Sequence, residues 1–243
     1  MALYVQDTAD VLLTRKSDGY QVFSATTQSI GIDQSVDEEE IKGGIGNSTQ
    51  FTIKSNKSLE ITVQDALFYF NWLAVTQGVK VDKNGQATIK QTEIVSVEEA
   101  GALKIKDKAV TDAVVIGNDG ANHKTTFTSG AATVDTLTKE VGKNVTVSYE
   151  KEVTGNTISI RADRFAEKYQ AQLRTVAYDK DTEAIVKDVF IIFENVTPSS
   201  EFSMSLEAGS AMAPEIKLRA AADPKTKAIG TFVLVDFKDN EGL

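Results

Sequence analysis

Strict alternation of apolar and polar residues is the feature that most restricts what this chain can fold into. Ile216, Leu218, Ala220 and Ala222 alternate with Lys217, Arg219 and Ala221, and Phe202, Met204, Leu206 and Ala208 alternate with Ser203, Ser205 and Glu207. In a last segment Ile229, Thr231, Val233 and Val235 share one face, with Phe232 and Leu234 on the other. A period of two sends successive side chains to opposite sides of a strand, so each run reads as a β-strand with at least one packed face. Residues 169–178 and 184–193 read as a hairpin pair around Asp179-Lys180-Asp181-Thr182, and residues 51–54 and 59–63 as flanking a turn at Ser55-Asn56-Lys57-Ser58. Lys83-Asn84-Gly85 and Asn118-Asp119-Gly120 suit the positive φ angles of tight hairpins, and Pro224 starts another turn. The expected class is mainly β, an antiparallel sandwich or barrel-like fold.

One segment breaks the alternation. Asp65 suits an N-cap, residues 66–77 hold no helix breaker, and Gly78 fits the position just past a helix end. With Leu67, Phe70, Trp72 and Leu73, this short helix (about 65–77) is apolar nearly all round and has to be covered on more than one side. A second, single-turn helix is expected over residues 163–168.

The aromatic residues divide the chain. Of eleven Phe, six Tyr and one Trp, only Phe127 and Tyr149 fall between residues 79 and 162. That stretch still alternates, as at Val145, Val147 and Tyr149. It reads as a β-rich inserted subdomain, 79–162, within a core domain made of residues 1–78 and 163–243.

Composition closes off several kinds of function. With no cysteine, disulfides, thiolate metal sites and a cysteine nucleophile are excluded. A net charge of −9 disfavours specific binding to nucleic acid or to an anionic membrane. The first thirty residues carry Asp7, Asp10, Arg15 and Asp18 and no apolar run of the signal-peptide kind, so the product is expected to stay in the cytoplasm where it is made. Only one histidine is present, His123, in what reads as a solvated loop. A His-activated hydrolase needs a positioned acid beside its base, and an imidazole metal site needs more than one ring. Residues 82–93 carry some acids at calcium-loop spacing but have Ala87 at the sixth place, where the sharp turn requires glycine. Asp179, Asp181 and Glu183 are ordinary acidic turn residues. The cluster Gly43-Gly44-Ile45-Gly46-Asn47 lacks the Gly-Lys-Ser/Thr ending of a phosphate loop. No nucleophile, base, metal or cofactor set emerges, and the chain is not expected to be an enzyme.

What remains is a long segment, 34–42, followed by the glycine cluster. It is either a solvated acidic connection or an assembly arm. In the second reading Asp37, Glu38, Glu39 and Glu40 supply charge and Ile41 and Ile45 supply apolar anchors for a neighbour, with Gly43 and Gly44 part of the same assembly loop.

The run Tyr169-Gln170-Ala171-Gln172-Leu173-Arg174-Thr175-Val176-Ala177-Tyr178, followed by 185–194, 202–209 and 214–220, resembles virion structural proteins of the phage tail tube (major tail) type, especially those from phages of Gram-positive hosts. The strands, long loop and helix of the N-terminal half match that family's order of elements. The resemblance covers about 10–78 and 163–243. It implies a tail tube fold, with subunits that close into hexameric rings in that family's manner, which stack into a hollow tube. DNA passes through such a tube without specific binding. The implied partners are other copies of the chain, a tape-measure protein, and tail terminator and initiator proteins, with no membrane; the implied location is the virion, after assembly in the host cytoplasm. The insertion 79–162 is then expected on the tube's outer surface. Competing readings are a capsid decoration or head–tail connector protein, and a carbohydrate-binding β-sandwich module. The latter is disfavoured because the aromatics lie on core faces or in the helix.

Overall fold

The computed structural model describes residues 2–199, 201, 207–209 and 213–237. In chain order the strands are β1 (Leu3–Tyr4), β2 (Asp10–Arg15), β3 (Gln21–Ser24), β4 (Thr27–Gly43), β5 (Ser48–Asp65), β6 (Asp82–Ser96), β7 (Ala102–Lys104) and β8 (Asp112–Ile116). They continue with β9 (Asn122–Thr126), β10 (Ala131–Thr133), β11 (Asn144–Thr157), β12 (Tyr169–Asp179), β13 (Ile185–Pro198), β14 (Glu215–Ala220) and β15 (Thr231–Asp236). One α-helix, α1 (Phe70–Gln77), lies between β5 and β6. Every strand pairing is antiparallel, and the fold is mainly β, as the alternation requires. Two compact units emerge, Met1–Val81 with Ile158–Leu243, and Asp82–Thr157.

In the first unit the sheet runs β3-β2-β12-β13-β14-β5-β4. The β12–β13 hairpin is long enough to serve two sets of neighbours. Near Tyr169 it pairs with β2 and β14, and toward its turn β1 adds to β12 and β15 to β13. That turn is built as expected, the Asp179 carboxylate accepting hydrogen bonds from the Asp181 and Thr182 amides at 3.0 Å. Alternate residues of the central strands form one core: Val11 and Leu13, Ile61 and Val63, Ala171 and Leu173, Ile216 and Leu218, with Phe193. Trp72 and Val75 of α1 complete it. Burying side chains of this kind contributes about 1.5–3 kcal/mol each.

The helix is shorter than the sequence indicates. It starts at Phe70, with Tyr69 in extended conformation as its cap residue and no side-chain cap bond. Asp65 ends β5 instead and is buried. Gly78 does terminate the helix, in the left-handed region at φ 64°. Residues 163–168 form no helix; the short 3₁₀ turns lie at Glu99–Gly101 and Asp135–Glu140. The turn expected at residues 55–58 is also absent. There β5 runs straight through a register irregularity at which Asn56 takes φ 49°. The strand expected over 202–208 falls mostly outside the described residues.

The second unit has its own core. A sheet of order β6-β11-β8-β9 and a two-stranded ladder, β10-β7, enclose Leu103, Val115, Phe127, Leu137, Val147 and Tyr149. Asn118-Asp119-Gly120 makes the β8–β9 turn, with Gly120 at φ 79°. Lys83-Asn84-Gly85 makes no turn and lies inside β6. A Cβ on Gly85 would sit 1.8 Å from Thr157 Oγ1, so this glycine serves close cross-strand approach. His123 is on strand β9, half-buried, with Nδ1 3.0 Å from Thr136 Oγ1, and not in a loop.

A projecting hairpin as the candidate functional site

The acidic segment is no loop. Residues 34–43 are the outer part of β4, paired residue by residue with the first half of β5. Every residue from Leu59 to Asp65 alternates between buried and half-buried, whereas none from 33 to 58 is buried. The two strands therefore leave the sheet together as a free ribbon. At 3.3 Å per residue, the ten residues from Gln34 to Gly43 span about 30 Å. Gly44 (φ 81°), Gly46 (φ 89°) and Asn47 (φ 50°) make the tip, where Ile45 is fully exposed.

The register assigns the arm's side chains to two unlike faces, because directly opposed residues point the same way. One face pairs charges. Glu38 faces Lys54, whose Nζ is 3.0 Å from its carboxylate, while Glu40 accepts from Thr49 Oγ1 at 3.1 Å and meets Lys42 Nζ at 3.0 Å. The other face carries Ile41 opposite Phe51, Glu39 opposite Ile53, and Asp37 opposite Ser55. Phe51 and Ile53 are exposed. Asp37 accepts from Asn56 Nδ2 at 3.0 Å, while Glu39 makes no ion pair among the described residues. An isolated two-stranded ribbon is marginal in water, and an apolar strip along it adds a cost that a partner surface would remove. Sequence reading picked out Asp37 to Glu40, Ile41, Gly43, Gly44 and Ile45. It missed Phe51 and Ile53, whose alternation looks like that of any core strand.

The four helix residues separate. Trp72 is fully buried, Phe70 and Leu73 are half-buried, and Leu67 precedes the helix and is exposed. Trp72 Nε1 donates to Asp65 at 2.9 Å, and Ser24 Oγ, Thr26 Oγ1 (2.6 Å) and the Leu67 amide (3.2 Å) donate to the same carboxylate. Burial pushes the Asp65 carboxyl up, but these four donors together outweigh it and hold its pKa below the usual 3.8. Asp65 thus ties β3, β5 and α1 together at the base from which the arm leaves.

A second exposed feature of this unit is the strap over residues 158–168, which leads into β12. A Cβ on Gly78 would lie 1.9 Å from the Phe165 carbonyl oxygen, so only glycine lets the helix end meet the strap. Near its end, Glu167 accepts from Ser17 Oγ and lies 3.6 Å from Arg15, and the Lys16 amide donates to the Lys168 carbonyl at 2.9 Å. Arg15 is itself buried, with Nε donating to the Tyr169 hydroxyl (3.2 Å) and Nη2 to the Val79 carbonyl (3.0 Å).

Among the described residues no group of three or more His, Cys, Asp or Glu is placed to hold a metal, and no helix is long and apolar enough to cross a membrane.

Residues 3–235 match the model of the YomU/Tube protein family. The chain is 37% identical over 242 residues to the tail tube protein of Bacillus phage SPR, covering 99% of this chain and 92% of that protein. It is 31% identical over 234 residues to the SPbeta prophage-derived protein YomU of Bacillus subtilis (strain 168), covering 96% and 88%. The resemblance seen in the sequence, including the Gram-positive host, therefore holds. The match also spans the second unit, which thus belongs to this family's own pattern.

Proposed function

The chain belongs to the YomU/Tube protein family, and from that premise and the geometry of its arm we propose that it is a virion structural protein, not an enzyme, that polymerises into a phage tail tube. The observation that carries the reading is the β4–β5 arm, about 30 Å of paired strand with no buried residue and one apolar face. A monomer gains nothing from such an arm, whereas an assembly buries it.

Subunits close into rings, six in each, and the arm of one ring engages the next. Asp37, Glu38, Glu39, Glu40 and Ile41 supply the contact along its length, and Gly43, Gly44 and Ile45 supply it at the tip. The free edges of β3 and β15 are available for pairing within a ring, which removes edges that would otherwise aggregate. The tube encloses a tape-measure protein, is bounded by terminator and initiator proteins, and passes DNA without binding it, consistent with a net charge of −9. The second unit closes its own core and rides on the tube's outer surface.

Negative-stain electron microscopy of the purified chain over a concentration series tests the assembly. Hollow tubes or rings of uniform diameter are expected. Persistent monomers that instead coat empty capsids would replace this reading with capsid decoration.

A further inference from the structure

The arm's apolar face needs a receiving surface, and one exposed feature of the first unit has matching chemistry. The strap over residues 158–168 is held along its second half, where Phe165 meets Gly78 and where Glu167 and Lys168 meet Arg15, Lys16 and Ser17, and it exposes Ile160 (68% exposed) and Phe165 (71% exposed). A held backbone that exposes a large apolar side chain, as at Phe165, is a preorganised contact, since docking there orders little that is not already ordered.

Its charge is complementary as well. Arg161 is already engaged in two 2.8 Å hydrogen bonds to Asp163, whereas Arg164 makes no ion pair among the described residues. On the arm, Asp37 and Glu39 lie on the apolar face and make no ion pair among the described residues; Asp37 accepts from Asn56, whereas Glu39 lies between the Ile41–Phe51 pair and Ser55. Glu38 and Glu40 on the opposite face are already matched by Lys54 and Lys42. Exposed apolar side chains, beside a carboxylate on the arm and a guanidinium on the strap that make no ion pair among the described residues, thus occur on the same chain. The chain's own arm does not cover the strap, because Phe51 and Ile53 are exposed and so are Ile160 and Phe165. The arm also departs from the β4–β5 edge of the sheet, three strands away from β12, into which the strap leads.

We propose that the strap of one subunit is the docking site for the arm of a second copy of this chain, with Ile41, Phe51 and Ile53 covering Ile160 and Phe165 and Glu39 pairing with Arg164. This rests on the assembly reading above and names the surface it uses. Burial of the pair in an apolar contact makes it directional, because a reversed charge at either position is left unpaired and desolvated.

Charge exchange in the full chain tests the docking. Arg164→Glu and Glu39→Arg are each expected to raise the critical concentration for tube formation at least about tenfold, and the double variant to return it to within about threefold of the wild type. Since the chain has no cysteine, Ile53→Cys with Phe165→Cys provides a second readout: oxidation after assembly should give a ladder of covalent multimers on a non-reducing gel. Wild-type tubes that tolerate both single reversals, or that leave the cysteine variant monomeric on the gel, would overturn the docking and leave the tube reading standing. A wild-type chain that builds neither rings nor tubes would overturn both.

Discussion

Asp65 is where a single side chain has most to hold. Its carboxylate is 1% exposed and accepts four hydrogen bonds from β3, the loop after it and the start of the helical segment. Removing it leaves the Trp72 indole N–H buried without a partner, which costs roughly 3 kcal/mol. Asp65→Ala should therefore lower the melting temperature of the first unit by roughly 10 °C. The pH dependence has a definite sign. The folded pKa lies below the unfolded value of 3.8, so the contribution is complete above 3.8 and is lost as pH falls through the lower folded value. Acid titration followed by circular dichroism should show this limb in the wild type and lose it in Asp65→Asn. Gly78 makes a different demand: its φ of 64° and the 1.9 Å approach of a Cβ to Phe165 oxygen leave no room for a side chain. Gly78→Ala is expected to cost more than about 2 kcal/mol, read by urea unfolding of the first unit.

At the scale of elements, the same pair of strands does two jobs. The second half of β5 is a core strand, with Leu59, Ile61 and Val63 in the core that also holds Trp72 and Val75, while its first half is arm. The border falls where Ser35 and Ser58 face each other, their hydroxyls 2.7 Å apart. Replacing residues 36–57 by a two-residue Asn-Gly turn should therefore leave the fold intact. The expected melting temperature lies within about 3 °C of the wild type, since no buried residue is removed. Polymerisation should be lost. Tubes that still grew from the shortened chain would show that the arm plays no part in stacking.

For the molecule as a whole, the two units are built to fold independently. Asp82 and Thr157 are register partners, so the second unit begins and ends at one point on a ladder. Each unit has a separate core. Residues 82–157 expressed alone should melt cooperatively. They should also carry an alkaline signature, because burial, then the hydrogen bond to Glu93, pushes the Tyr149 hydroxyl up to about 12. A raised folded pKa means stability fully present below 10 and lost as pH rises through about 12. Tyr149→Phe should flatten that decline, measured by thermal melts of the fragment across this range.

Much of this was legible from residue order. The β12–β13 hairpin, β14, the β8–β9 turn and the C-terminal Gly78 of α1 follow from alternation and turn chemistry, which act within a few residues. The family, too, could be read from short runs of sequence. The sequence could not give the status of residues 34–58. Phe51 and Ile53 alternate just as Ile61 and Val63 do, and only what packs across from each pair decides which is buried. Nor could it give the role of Asp65, whose local pattern is that of a helix cap. Its four donors arrive from β3, from the loop after it, from Leu67 and from α1, and their sum against burial sets its charge. Alternation is a property of neighbours along the chain, and so the sequence determined strands, faces and family; burial is a property of what lies across space, and so the free arm, the pinned strap and the buried carboxylate were decided by the tertiary structure alone.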